Sequence, residues 1–184
     1  MLDSIKKDLK ACGGSPLLAI ISNRGFHSLL NYRVANYLHK KKVPLIPLAL
    51  TRIIQITYGI DIDYRAKIGS GCCIVHGVGT VVGCGAVIGE NAKIYHGVTL
   101  GIADSPNRED GFPTVGDNAL IGAGAKLLGK INIGDQVRIG ANSVVINDIP
   151  NNCSAFGIPA KYKELKLIQP VQSCEETNDL PEIV

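Results

Sequence analysis

Residues 116–145 read GDNALIGAGAKLLGKINIGDQVRIGANSVV, and within them Ile121, Leu127, Ile133, Ile139 and Val145 recur every six positions. Period six is neither the 3.6 of an amphipathic helix nor the plain alternation of a lone strand. A small residue recurs four places after the aliphatic one, as at Ala125, Val137 and Ser143. Each hexad therefore reads as a short strand plus a turn. Three hexads close one triangular coil, with the aliphatic side chains stacked inside and Gly or Asn permitting the corner backbone.

Upstream, Ile62, Ile68 and Ile74 carry the same spacing, which slips by two before resuming at Val82, Ile88, Ile94 and Leu100. It breaks across residues 102–114, IADSPNREDGFPT, and returns at Val115. Thirteen hexads predict about four coils. Composition agrees: of 184 residues 46% are hydrophobic, yet only 5% are aromatic, Trp is missing and 21 are Gly. A core of small and β-branched side chains in one compact domain follows. The charged excursion at 102–114 adds little apolar surface, and such a loop on a regular scaffold usually serves function.

Ahead of the repeat, Phe26, Leu29, Leu30, Val34, Tyr37 and Leu38 recur at helical spacing, with Lys40, Lys41 and Lys42 placed to complement the helix dipole. A second helix, from Leu48 to Tyr58, is expected to cap the open first coil. The chain thus divides into a helical region at 1–58, the repeat domain at 59–164, and a polar, mobile tail at 165–184. Residues 1–58 hold 9 basic and 2 acidic side chains, a net +7 within an overall +3. Peripheral contact with an anionic membrane would suit that charge. Nucleic-acid binding is not expected, because no aromatic stacking residues are interleaved with it. No run is apolar enough for a signal peptide or a membrane span, so a cytoplasmic protein is expected. The six Cys lack metal-site spacing and read as small buried hydrophobes in a reducing compartment, with no metal ion expected.

His76 and His96 both stand third in their hexads, one full coil apart. Their imidazoles should stack on neighbouring rungs, about 4.8 Å apart along the axis. A histidine near its ordinary pKa can take the proton of an alcohol as the alcohol attacks a carbonyl. The plainer reading of each is a hydrogen bond to neighbouring backbone.

The stretches GENAKI (89–94), GDNALIGAGAKLLG and GDQVRIGANSVV resemble the hexapeptide-repeat acyltransferases. That resemblance implies a mainly β fold, a left-handed parallel β-helix with a short N-terminal helical region and an extended loop. The handedness comes from the resemblance alone, since crossovers generally run right-handed. GIDIDYRAKIGSGCCIVHGVGTVVG (59–83), IYHGVTLG (94–101) and FGIPAK (156–161) resemble the serine O-acetyltransferase branch, including relatives that O-acetylate capsular and exopolysaccharides. By resemblance His76 is the general base and Asp61, fifteen residues earlier, orients it, although Asp61 also reads as a cap at the start of a strand. His96 joins the site. Acetyl-CoA should lie along the coil edge against Gly101, Ala123 and Ala141, with Lys161 near its nucleotide, and the assembly should be a homotrimer.

Two positions depart from the serine enzymes, which carry an aspartate just before the motif histidine and an Arg-His pair before the loop proline. Val75 and Gly111-Phe112 stand there instead. A zwitterionic amino acid needs partners for both charges, whereas a sugar hydroxyl needs only the base. Val75 and Phe112 therefore point to acetyl transfer onto a sugar of a surface polysaccharide or its precursor. The alternatives are serine O-acetylation for cysteine synthesis and a non-catalytic β-helix scaffold. Docking to a sulfhydrylase partner is not expected, because the last residue is Val184 rather than the usual Ile.

Overall fold

The computed structural model describes residues 1–104 and 110–165. The expected mobile tail, Val184 and the centre of the 102–114 loop lie outside these residues. The first third forms helices α1 (Leu2–Ala11), α2 (Pro16–Ser22), α3 (Arg24–Lys40) and α4 (Ile46–Tyr58). Asn23 caps α3, its side chain accepting the Phe26 N–H at 3.0 Å, and Gly59 ends α4 in the left-handed conformation that a C-terminal glycine tolerates.

From there the chain winds into a parallel β-solenoid of about four coils. The first holds β1 (Asp61–Ile62), β2 (Lys67–Ile68) and β3 (Cys73–Val75), and the second β4 (Val81–Val82), β5 (Val87–Ile88) and β6 (Lys93–Tyr95). Then come β7 (Thr99–Gly101), β8 (Thr114–Val115) and β9 (Leu120–Ile121), followed by β10 (Lys126–Leu128), β11 (Asn132–Ile133) and β12 (Arg138–Ile139). Strand β13 (Val144–Val145) and the antiparallel pair β14 (Cys153–Gly157) and β15 (Ala160–Glu164) finish the described fold.

Every aliphatic residue of the thirteen hexads falls in one of the strands β1–β13, and each pairs with its counterpart one coil away. Ile62, Val82, Leu100, Leu127 and Val145 form one ladder. Ile68, Ile88, Val115 and Ile133 form a second, and Ile74, Ile94, Ile121 and Ile139 a third. The small residues at Ala86, Ala92, Ala125 and Val137 are fully buried at the corners, where larger side chains would not fit. Asn91, Asn118, Gln136 and Asn152 take positive φ, 56–57°, at one edge, as the corner reading requires.

The open edge of the first coil is covered chiefly by α3, not by α4 as expected. Leu29 and Tyr32 of α3 join the core, while Ile54 and Tyr58 of α4 pack at its margin. The buried side of α3 includes Ser28, Tyr32 and Arg33, and Tyr37 is exposed. This rotation has a polar cause. The Tyr32 hydroxyl donates to the Ala66 carbonyl and accepts the Ile68 N–H, at 2.7 and 3.1 Å. The Arg33 guanidinium donates to the carbonyls of Ile68 and Gly69. Gly25 sits so close to β3 that a Cβ there would meet the Ile74 carbonyl oxygen at 1.9 Å.

Helix α1 docks through a charge pair. Asp8, 1% exposed, accepts from Arg33 Nε at 2.9 Å and from the Cys72 N–H at 3.0 Å, with Arg33 itself 8% exposed. Removing one member of a buried pair leaves the other uncompensated. Asp8→Ala should cost about 3 kcal/mol in urea unfolding, and Asp8→Asn, which keeps the acceptor oxygen, clearly less.

Candidate active site

One corner of the prism carries most of the expected site. Strand β3 ends at Val75 and β6 at Tyr95, paired in register, so His76 and His96 emerge one above the other. Their rings lie edge to face at 63°, with centroids 6.0 Å apart. Above them, the Gly124 N–H donates to the His96 carbonyl and the Asn142 N–H to the Ala123 carbonyl, both at 2.8 Å. His76, His96, Ala123 and Ala141 therefore form one ridge along the solenoid.

His76 is held in an unusual backbone. Its φ is 63°, and the Gly77 N–H donates to the Val75 carbonyl two residues back at 2.8 Å, closing a three-residue turn around the histidine. This corner, His76-Gly77-Val78-Gly79, holds the two residues by which the period slips; the next corner needs only His96-Gly97. A strained conformation at a candidate base is stored where the surrounding ladders over-determine it.

Two hollows flank the ridge on the face formed by β3, β6, β9, β12 and β14. Near the helices, Val75 and His76 share a cavity of about 320 Å³ with Cys12, Arg24 and Cys73. Further along, an open groove of about 640 Å³ runs from Tyr95 past Ala123, Gly140 and Ala141 to Phe156. Small residues, among them Gly122, Ala123, Gly140 and Ala141, make up about half of its lining, and Leu120 and Arg138 belong to it as well.

Asp61 opens β1 just beneath this corner, because the Gly79 N–H donates to the Gly59 carbonyl at 2.8 Å. Its carboxylate accepts from Gln55 Nε2 of α4 at 3.0 Å rather than from His76, and the Gln55 amide oxygen accepts in turn from Arg52. Gly101 lies at the far end of β7, off the ridge, where a Cβ would make only ordinary contacts with Thr99 and Leu128. Lys161 pairs across the β14–β15 ladder with Phe156, at the end of the groove. Phe112 is placed apart from the histidines: its ring covers Gly83 and Gly85 at another corner, a whole face of the prism away.

Arg24, Gln55, Cys12 and Cys73 were not among the residues read as functional from sequence. Strand alternation points Cys73 to the same side as Val75, but nothing in the α3 sequence places Arg24 beside His76. Among the described residues no group of three or more His, Cys, Asp or Glu could hold a metal ion, and no helix is long and apolar enough to cross a membrane.

A family model described as bacterial transferase hexapeptide (six repeats) matches residues 112–147. Serine acetyltransferase of Helicobacter pylori (strain J99) is 47% identical over 137 residues, covering 74% of this chain and 80% of that protein. The chain belongs to the serine acetyltransferase family. The Synechococcus elongatus serine acetyltransferase is 42% identical over 139 residues, and this chain spans 56% of its length. Among solved structures, the Neisseria gonorrhoeae serine acetyltransferase in complex with serine aligns with a TM-score of 0.81 at 34% identity, over 87% of this chain and 68% of that one. A serine acetyltransferase in complex with CoA aligns equally well, at 35% identity over 88% and 69%.

These relatives overturn the expectation of a polysaccharide acceptor. That expectation rested on Val75 and Gly111-Phe112 lacking the charges an amino acid needs. A cation can instead come from outside the repeat, and Arg24 lines the cavity that holds Val75 and His76.

The turn around His76 gives a test of stored strain that needs no substrate. Alanine suffers at positive φ much as histidine does, whereas glycine does not. His76→Gly should be more stable than His76→Ala by about 1 kcal/mol in thermal or urea unfolding.

Proposed function

We propose that this protein is a serine O-acetyltransferase, moving the acetyl group of acetyl-CoA onto the side-chain hydroxyl of L-serine. The observation that carries the reading is the ridge. A histidine pair stands between a cavity lined by Arg24 and a groove rich in small residues, in a chain 47% identical to a serine acetyltransferase.

In this reading serine occupies the cavity beside His76, with its carboxylate against the Arg24 guanidinium. The His76 imidazole takes the hydroxyl proton as the serine oxygen attacks the thioester carbonyl. Backbone N–H groups steady the oxyanion of the tetrahedral intermediate. Collapse breaks the carbon–sulfur bond, and the departing CoA thiolate takes the proton back from the imidazolium. The products are O-acetylserine and CoA, with the base restored. His96, edge-on to His76, helps hold that ring's orientation. Asp61 is the positioning carboxylate, kept in place by Gln55 and Arg52, with its second oxygen available for His76 once the substrate closes the site.

The pantetheine arm follows the groove, where Ala123 and Ala141 leave room, whereas Gly101, off the ridge at the far end of β7, meets it only from a neighbouring chain. Lys161, opposite Phe156, meets the nucleotide phosphates. The assembly is a homotrimer, and Phe112, a face away from His76, reaches an acceptor bound there only from a neighbouring chain.

The test is release of free CoA thiol from acetyl-CoA with L-serine as acceptor. The expected outcome is serine-dependent release that falls by about 10²–10⁴-fold in His76→Ala. Arg24→Ala should raise the KM for serine about ten-fold with a smaller change in kcat. Ala141→Leu should raise the KM for acetyl-CoA while leaving that for serine near its original value. Release that ignores serine, or full activity in His76→Ala, would refute the reading.

A further inference from the structure

Cys12 and Cys73 line the same cavity of about 320 Å³ as Val75 and His76, close enough for each thiol to shift the ionisation of the other. They come from distant parts of the chain: Cys12 caps the C-terminus of α1, and Cys73 opens β3. Strand alternation separates Cys73 from its neighbour. Cys72 turns into the coil, its Sγ 3.3 Å from the carbonyl oxygens of Gly69 and Gly89, and is fully buried. Cys73 turns outward, beneath the helices.

We propose that Cys12 and Cys73 form a reversible disulfide that staples the end of α1 to β3 and closes the acceptor cavity beside His76, a redox latch on acetyl transfer. The disulfide stands on the placement of the two cysteines in one cavity, while its effect on turnover rests on the serine reading above. The two cysteines divide the chemistry as an attacking and a resolving thiol do. The neighbouring Cys12 thiol brings the Cys73 thiol down to about 7, against the opposing effect of burial and with help from the Lys93 charge. The Cys73 thiol, together with burial, pushes Cys12 well up. Burial pushes Cys72 to about 11, which leaves it inert.

The oxidant is a low-molecular-weight disulfide. The Cys73 thiolate attacks one of its sulfurs, forming a mixed disulfide and releasing one thiolate. Cys12 then attacks Cys73 Sγ, gives up its proton and displaces the second thiolate. Two cysteine thiols are oxidised and one external disulfide is reduced to two thiols. The chain has slack for the closure. Gly13 and Gly14 follow Cys12 at φ of 69° and 70°, with open space around both, and α2 beyond them ends at Ser22, which lines the same cavity.

The experiment exposes the full chain to glutathione disulfide and follows two readouts. Non-reducing peptide mapping should find the Cys12 peptide joined to the Cys73 peptide, with the chain lighter by about 2 Da. Serine-dependent CoA release should drop about ten-fold and return on adding dithiothreitol, while in Cys73→Ser, which lacks the attacking thiol, the oxidant should leave the variant's own rate as it was. Mapping that finds both cysteines free, or joined to other residues, overturns the disulfide. A Cys12–Cys73 bond that leaves turnover unchanged overturns the latch. Absence of serine-dependent release from the reduced protein instead refutes the serine reading, and mapping still decides the disulfide on its own.

Discussion

The structure depends on the in-register stacking of one aliphatic side chain per strand. A coil only three strands around has an interior that holds little else. Each ladder residue therefore touches its counterparts above and below, and a change of one methylene is felt along the column. The parallel hydrogen bonds that fix the register also leave an open row of backbone groups at the first coil, which must be answered. The helices answer it with polar side chains rather than apolar bulk. Tyr32, Arg33 and Asn36 bond to carbonyls between Tyr64 and Gly69, and Asp8 bonds to the Cys72 N–H. At the other end the β14–β15 pair continues the sheet that bears the groove.

That arrangement explains which parts were legible beforehand. Periodicity of six reports inward-facing side chains directly, so the strands, their register and the stacking of His76 on His96 followed from spacing alone. The helices were less readable because they pack on a polar edge. Arg33 and Asp8 enter the sequence reading only through the net charge of residues 1–58, yet they form the buried pair that docks α1. The apolar stripe Leu30, Val34 and Tyr37 suggested a face of α3 that the structure turns partly or fully outward. Short α1 and α2 gave no signal, since seven to ten residues seldom carry a decisive pattern.

The acceptor was misread for a related reason. Motif positions report on the repeat, and a charge missing from the repeat says nothing of what another segment brings to the same cavity. Arg24 stands at the start of α3, some fifty residues before His76, and only the close approach of Gly25 to Ile74 puts it there. Ala123 and Ala141, named by resemblance, are corner residues of the repeat and so stand on the ridge with the histidines, whereas the Asp61–Gln55 bond had no sequence signal, because Gln55 belongs to a helix.

The two irregularities of the repeat mark where a uniform solenoid becomes a site. Asp61 pairs with Val81, twenty residues on, whereas Val81 pairs with Thr99 after eighteen. The extra two residues enlarge the corner at His76 and force the tight turn around it. Val87 pairs with Thr114 after twenty-seven, so the second irregularity inserts nine residues at a different corner, beside Phe112. Because the ladders on either side keep their register, neither insertion can relax by shifting a strand. The distortion is confined to the corner backbone, and this holds His76 at positive φ. A rigid scaffold with local departures thus fixes reactive side chains in space, and the helices that close the first coil bring Arg24 and Cys12 to the same cavity.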